Sequence, residues 1–296
     1  MQPFDYYSPK TFDEAFRLLS QPEKKAIAVA GATDVIPQTR DGVIAPDVVV
    51  DIKRLPGLRS LTTEDIEPCC GCSPGSCLYV GAAVTMNELA RSELVWSRWP
   101  ALSDAAASMG NEQVRNRATI GGNICTASPA ADSAPALYVL EATVLIKGPQ
   151  GDRCVPISRF FTGPKRNALR PGEIVTALLI PKLPEGTLSH HEKLSRRKAG
   201  DLSIASVAVL AMPGERSYRW RLALGAVGPT PIRSEESEAI LATGLDDEAI
   251  DRAAASAYGC CCPIGDIRSG LEYRQAMVVN LTRRAIKAVR AQLPTE

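Results

Sequence analysis

The stretch that decides the reading of this chain runs from Ala118 to Leu137: "ATIGGNICTASPAADSAPAL". Asp132 is its only charged residue, and most of the others are small. Gly121 and Gly122 stand side by side, where a backbone can turn sharply and let another group come to van der Waals distance. The exposed N–H groups of such a turn form a concavity for an anion, phosphate included. Asn123 and Thr126 add donors without bulk. Asp132 cannot hold phosphate by charge, but its carboxylate can accept hydrogen bonds from a ribose or a ring N–H. The competing reading is structural, because runs of small residues also serve tight packing between a helix and a sheet.

A second loop of the same design lies upstream. "AVAGATDV", residues 28–35, reads as a strand ending at Gly31, followed by small residues, Thr33 and Asp34. Two such loops, each leaving a strand, can embrace the two phosphates of one dinucleotide. Neither is the nicotinamide-type fingerprint, since no G-x-G-x-x-G occurs between a strand and a helix. Neither is a Walker loop.

Composition sets the frame. The 296 residues suffice for one large domain or two moderate ones. Apolar residues at 45% and charged residues at 23% exclude disordered and fibrous classes. A net charge of +1, from 34 basic and 33 acidic residues, gives no electrostatic case for nucleic acid or an anionic membrane as partner. No apolar run approaches the ~18 residues that cross a bilayer. The N-terminal "MQPFDYYSPKTFDEAF" has no basic segment leading into an apolar core. The chain is therefore expected to be cytoplasmic.

Helix and strand signals alternate in the first third. Thr11 and Glu14 form a capping box ahead of Phe12, Ala15, Phe16 and Leu19 on one helical face. "AIAVAGATDV", "DVVVDIK" and "CLYVGAAV" read as strands, the last running into a capping box at Thr85 and Glu88. Residues 100–109 are alanine-rich and helical in pattern. "TVLIKGPQGDRCVPI" reads as a hairpin turning between Pro149 and Asp152, and "EIVTALLIP" as a strand. "KLPEGTLSHH" reads as a domain boundary. Beyond it, "HEKLSRR", "SIASVAVLAM" and "RWRLALGAV" are strands. Three helices follow, the longest from about Leu271 to Leu293. Strands followed by helices give an α+β layer. Tyr218 and Trp220 share one strand face, Arg219 and Arg221 the other.

Three passages carry a resemblance. "AGATD", "ATIGGNICTASPAADSAPAL" and "GAVGPTPIR" resemble the FAD-binding medium subunit of molybdenum hydroxylases, and "FFTGPKRNALRPGEIVTALLIP" and "RRKAGDLSIASVAV" fit it as well. "QVRNRATIGGNICTASPAADSAPAL" is most similar to the xanthine dehydrogenase branch. The resemblance implies an α+β fold. Its first part is a two-lobed FAD-binding domain of the vanillyl-alcohol-oxidase (PCMH) type, residues 1–183, with lobes 1–56 and 57–183. A small α+β C-terminal domain of the CO dehydrogenase flavoprotein type, residues 188–296, follows. Ala28, Val29, Ala30, Gly31, Ala32, Thr33, Asp34 and Val35 would hold the pyrophosphate. So would Ala118, Thr119, Ile120, Gly121 and Gly122, with Asn123 and Thr126 adjacent. Asp132 matches the family's acidic residue at the FAD site. Val175 falls where an apolar residue lies against the cofactor, and Lys193 where a lysine stands near it. Met109 stands where some relatives carry an aromatic residue beside the flavin ring. Ala32 stands where the family usually has Gly or Asn, which permits close approach if its φ is negative.

The resemblance further implies non-covalent FAD and an electron-transfer role. Its partners would be a large molybdopterin subunit and a small subunit with 2Fe–2S clusters, with NAD+ as acceptor and a purine such as xanthine or hypoxanthine as the complex's substrate. The alternatives are a carbon monoxide, nicotinate or aldehyde dehydrogenase of the same family, a stand-alone flavin oxidase, and a scaffold without flavin. In an oxidase, Cys125 would be the only covalent anchor in either loop.

Nine cysteines remain, an odd number that argues against a disulfide framework. "CCGCSPGSC", with Cys69, Cys70, Cys72 and Cys77, invites zinc or an iron–sulfur cluster but matches no standard spacing. One branch of the resembled family carries a cluster loop just after "GGN", and this chain has no insertion there. The expectation is an inserted hairpin tip without metal. Within it, "GCSPG" matches a nucleophile-elbow pattern but lacks the strand-to-helix setting that an elbow needs. Cys260, Cys261 and Cys262 in "GCCCPIG" cannot easily all face one ion. Arg196, Arg197 and Lys198 form a basic run that reads as a solvated face or as a contact with a pyridine nucleotide or a partner.

Overall fold

The computed structural model describes residues 1–66, 75–215 and 217–294. The first lobe holds β1 (Asp5–Tyr7), α1 (Phe12–Leu19), β2 (Ala26–Val29), α2 (Val35–Arg40) and β3 (Val48–Asp51). The Thr11 hydroxyl opens α1 by accepting the Glu14 N–H at 3.3 Å, and Ala15 and Leu18 turn inward. The strands run parallel in the order β1-β3-β2. β3 is central and buried along its whole length, its three valines giving the apolar run of a parallel strand before the paired Asp51 ends it.

The second lobe begins with β4 (Leu61–Ile66) and β5 (Gly75–Gly81). A helical block follows: α3 (Met86–Arg91), α4 (Glu93–Arg98), α5 (Pro100–Ser108), α6 (Glu112–Arg115), α7 (Ile120–Thr126) and α8 (Ser133–Val139). The lobe closes with β6 (Thr143–Gly148), β7 (Gly151–Pro156), α9 (Ile157–Phe160), β8 (Phe161–Gly163), β9 (Arg166–Asn167) and β10 (Ile174–Pro181). Five of these strands form an antiparallel sheet ordered β4-β5-β10-β6-β7. The β6–β7 hairpin turns between the paired Gly148 and Gly151, where its pattern predicts. The Thr85 capping box is complete. Thr85 Oγ1 accepts the Glu88 N–H at 3.2 Å, and the Glu88 carboxylate accepts the Thr85 N–H at 2.7 Å.

The C-terminal part is an antiparallel sheet of β11 (Leu188–Leu194), β12 (Ala205–Met212), β13 (Arg219–Gly225) and β14 (Ile232–Arg233) in sequential order. α10 (Glu235–Leu241), α11 (Asp247–Gly259) and α12 (Leu271–Arg290) follow it. β11 starts earlier than its sequence pattern suggests, because Leu188, Ser189 and His190 already pair with β12. β12 is buried at every position. Val207 and Val209 pack with Val278, Leu281 and Ile286 of α12, while Ala208, Leu210 and Met212 join the core of the N-terminal lobes. Trp220 is buried as the alternation predicts. Arg221 points the other way, crossing to the Val139 carbonyl at 3.1 Å and the Glu141 carboxylate at 2.6 Å. The observed class is the expected one: α+β, two sheet-bearing N-terminal lobes followed by a smaller α+β domain. Among the described residues no helix is long and apolar enough to cross a membrane.

The readings of Cys69, Cys70 and Cys72 and of "GCSPG" rest on residues 67–74 and lie outside the described residues. Cys77 is buried in β5. Cys154 in β7 is disulfide-bonded, which the odd cysteine count did not anticipate. The three adjacent cysteines diverge. Cys260 lies 3.5 Å from Ser234 Oγ, the Cys261 thiol donates to the Ala257 carbonyl at 3.2 Å, and Cys262 is exposed.

Candidate functional site

The sharp turn expected at Gly121–Gly122 is instead the first turn of α7. Thr119 caps this helix, its hydroxyl accepting the Gly122 N–H at 3.1 Å. The neighbouring amides are also taken: Ile120 by Val84 O, Gly121 by Ala82 O and Asn123 by Thr119 O. The glycines serve different ends. A Cβ on Gly121 would sit 2.6 Å from both the Cβ and the carbonyl oxygen of Ala82, so this glycine exists for packing. Gly31 has the same role, since its Cβ would lie 2.0 Å from the Arg117 carbonyl oxygen. That absence of a side chain lets the first loop rest directly on the backbone of the second. Gly122 would meet only Thr119 Oγ1, at 3.1 Å.

The first loop keeps its donors. The amides of Gly31, Ala32, Thr33 and Asp34 make no backbone hydrogen bond among the described residues. Ala32 stands at φ +57, so the negative φ on which its close approach was conditional is not met. A left-handed residue turns successive N–H groups toward one side, the geometry of an anion nest. Lys53 supports the loop from below, its ammonium bonding the Ala30 carbonyl at 3.0 Å and Asp51 at 2.6 Å. Thr126 ties the two loops together, its hydroxyl donating to Asp34 Oδ2 at 2.9 Å.

Between the loops lies a cavity of about 780 Å³, within the usual range for cofactor sites. Of the expected residues, 28–35, Met109, Ala118, Thr119, Gly121, Gly122, Asn123, Thr126 and Val175 line it. Val175 reaches the wall from β10, where a bulge between Val175 and Ala177 shifts the register. The Cys125 thiol borders the cavity and is pushed up to about 12 by burial, which favours the protonated form over the nucleophilic thiolate.

Three expected residues are not on the wall. Ile120 is buried in the core behind it. Asp132 and Lys193 pair with each other at 2.9 Å, with side chains only 5% and 7% exposed. Asp132 also accepts from Ser203 Oγ at 2.6 Å, which occupies its second oxygen. Burial raises the Asp132 pKa, while Lys193 and Ser203 pull it back. The pair stands next to the cavity's lining residues rather than among them, bound to each other and to Ser203. Residue-by-residue reading also passed over Lys24, Lys25, Lys165 and Arg170, which line the cavity. They set four positive charges against the lining acids Asp34 and Glu173, and Arg153 holds Glu173 at 2.6 Å. The signal for two of them was "GPKRNALRPGE", in which Lys165 sits in the turn before β9 at φ +56 and Arg170 in the segment after it.

Comparison with known proteins agrees with this arrangement. Residues 2–183 match the family described as FAD binding domain in molybdopterin dehydrogenase, and residues 190–289 match the CO dehydrogenase flavoprotein C-terminal domain. The chain is 34% identical to the carbon monoxide dehydrogenase medium chain of Hydrogenophaga pseudoflava, over 98% of both chains. It is 33% identical to the xanthine dehydrogenase FAD-binding subunit of Escherichia coli O157:H7, over 95% of this chain and 94% of that one. A solved structure of the Hydrogenophaga pseudoflava carbon monoxide dehydrogenase, lacking the Mo-pyranopterin moiety of its cofactor, superposes with a TM-score of 0.90 at 33% identity. The match covers 99% of this chain and 100% of that one. The likeness runs through both domains, and the chain belongs to the FAD-binding subunits of the molybdenum hydroxylases.

Proposed function

We propose that this chain holds FAD non-covalently between its two N-terminal lobes and relays electrons inside a molybdenum hydroxylase. The cavity carries the reading. The amides of residues 31–34 offer donors to a pyrophosphate, and the basic lining favours its charge. The Thr119 hydroxyl accepts from Gly122 and still has its own proton to give. Met109, Ile174 and Val175 supply an apolar surface for a flat ring. A protonated Cys125 supports non-covalent binding.

When bound, FAD takes up electrons singly and gives them up in pairs. The partners proposed are a small subunit with 2Fe–2S clusters as donor and a large molybdopterin subunit that oxidises substrate. The acceptor proposed is NAD+, the substrate a purine such as xanthine or hypoxanthine, and the compartment the cytoplasm. Support for a nucleotide acceptor comes from the loop bearing Arg196, Arg197 and Lys198. It lies beside Met109, because the Gly200 N–H donates to the Gly110 carbonyl at 2.8 Å. The likeness to the Hydrogenophaga medium chain favours a second reading, with carbon monoxide as the substrate.

Acid treatment of the purified yellow chain should release free FAD. NADH should then bleach the visible flavin band of the FAD-loaded chain. Bleaching by dithionite but not by NADH would remove NAD+ as acceptor. A chain that neither holds nor takes up FAD would overturn the whole reading.

A further inference from the structure

Lys53 is not among the residues that line the cavity, yet it holds the first loop. Asp51 ends β3 in register with Val29 of β2, one residue short of Ala30. A single 3₁₀ turn, Ile52–Arg54, follows, and Asp51 caps it by accepting the Lys53 N–H on Oδ1 at 3.0 Å. Ile52 of this turn lines the cavity, whereas Lys53 folds back beneath the loop. Its ammonium donates to Asp51 Oδ2 at 2.6 Å and to the Ala30 carbonyl at 3.0 Å. The Tyr6 hydroxyl, from β1, donates to the same Asp51 oxygen at 2.6 Å. Asp51 is buried. Burial opposes its charge, but the bonds from Lys53 and Tyr6 outweigh burial and hold its pKa below the ordinary carboxylate value. The ammonium is thereby fixed at the Ala30 carbonyl.

The geometry points to Lys53 as a positioning residue that prepares the Gly31 amide to hold an anion. The Ala30 carbonyl and the Gly31 N–H belong to one peptide unit, and in a trans peptide they point in opposite directions. An ammonium bonded to the oxygen therefore turns the N–H away from Lys53, and it polarises the peptide so that the N–H becomes a stronger donor. Gly31 lines the cavity, and its amide makes no backbone hydrogen bond among the described residues. Ala32, in the left-handed region, brings the next amides to the same side. Because the Asp51–Lys53 pair is neutral as a whole, its effect passes through this one peptide and not through a long-range field. The consequence for FAD rests on the reading of the cavity given above. The polarisation of the peptide does not.

Lys53→Met alone would strand the buried Asp51 carboxylate, so the test is the double variant Asp51→Asn/Lys53→Met, which keeps the net charge. Two readouts apply: the Ala30 carbonyl ¹³C and Gly31 amide ¹⁵N resonances in the chain without FAD, and FAD affinity by titration. Loss of the charged donor at the Ala30 oxygen should move both resonances upfield. FAD should bind about tenfold more weakly, the low end of what losing a supporting contact behind a ligand-holding group costs. Arg54→Met removes a full charge from an exposed residue of the same turn and should leave both readouts near wild type. A folded double variant with wild-type FAD affinity overturns the proposal, and so does an equal loss in Arg54→Met. If the double variant does not fold, Lys53→Gln removes the charge while offering Asp51 an amide donor, and the same shifts are expected. If the wild-type chain binds no FAD, the cavity reading fails, and inorganic pyrophosphate becomes the probe, read on the amide resonances of residues 31–34. A wild-type response that the variant loses supports the role of Lys53. An equal response in both, or none in the wild-type chain, overturns it.

Discussion

Gly121 and Gly122 are neighbours with different constraints, and substitution separates them. Gly121→Val forces a branched side chain into the Ala82 backbone and should destabilise the fold by about 1–3 kcal/mol, read as a lower denaturant midpoint. Gly122→Val meets a single side-chain atom, so the fold should hold while FAD uptake falls. Full FAD occupancy in that variant would remove the residue from the binding wall. Ala32 offers the opposite sign. Its φ of +57 costs an alanine about 1–2 kcal/mol, part of which glycine's backbone entropy offsets. Ala32→Gly should therefore stabilise the chain by about 1 kcal/mol in denaturant titration. The small-residue composition made close approach legible at these positions. What approached was not legible: Ala82 and Arg117 close on the glycines from other segments, and their contacts decide packing against binding. The partner of Asp132 was hidden in the same way, since Lys193 lies 61 residues further along.

At the scale of elements, β11 docks on α5 through polar groups. Ser189 Oγ accepts the Ala101 N–H at 3.1 Å, and Lys193 holds the Ser108 carbonyl at the helix's other end. His190 lies between Asp104 of α5, at 3.4 Å, and Glu192, at 3.6 Å. Glu192 is shared with Arg284 of α12, and the adjacent His191 is buried and pushed down to about 4 by desolvation. Asp104 first, then Glu192, raises the His190 pKa from 6.5 to about 9. A raised folded-state value means that the charged histidine favours the folded chain. Its contribution is complete below pH 6.5 and is lost as pH climbs through 9. With Asp104 partly in solvent, the effect should be about 1–2 kcal/mol rather than the full shift. Unfolding measured across that window should show the decline in wild type and a flatter profile in His190→Gln. Equal slopes would show that this histidine does not clamp the domains. Periodicity made α5 and β11 legible as elements, but not their mutual docking. The capping box at Thr85 could be read because both partners lie within one turn, whereas His190 meets a residue from another domain.

At the scale of the molecule, β12 belongs to two cores. One face completes the C-terminal domain against α12, and the other completes the N-terminal lobes. α8, buried at every position, packs against β12 and β13, and Arg221 crosses to its final turn. Removing residues 188–296 would therefore strip α8 of its apolar cover and leave Asp132 without Lys193 and Ser203. Residues 1–183 expressed alone should aggregate or bind a hydrophobic dye, because the newly exposed apolar surface is contiguous. The full chain should unfold in one cooperative step, with calorimetric and van't Hoff enthalpies in agreement. A composition break at "KLPEGTLSHH" marks where one sheet ends and the next begins, but it carries no information on a strand whose two faces serve different cores. Independent domains joined by that linker would instead give two separated transitions and a soluble, dye-silent N-terminal fragment. Such a result would make the contact between Lys193 and Ser108 incidental to folding.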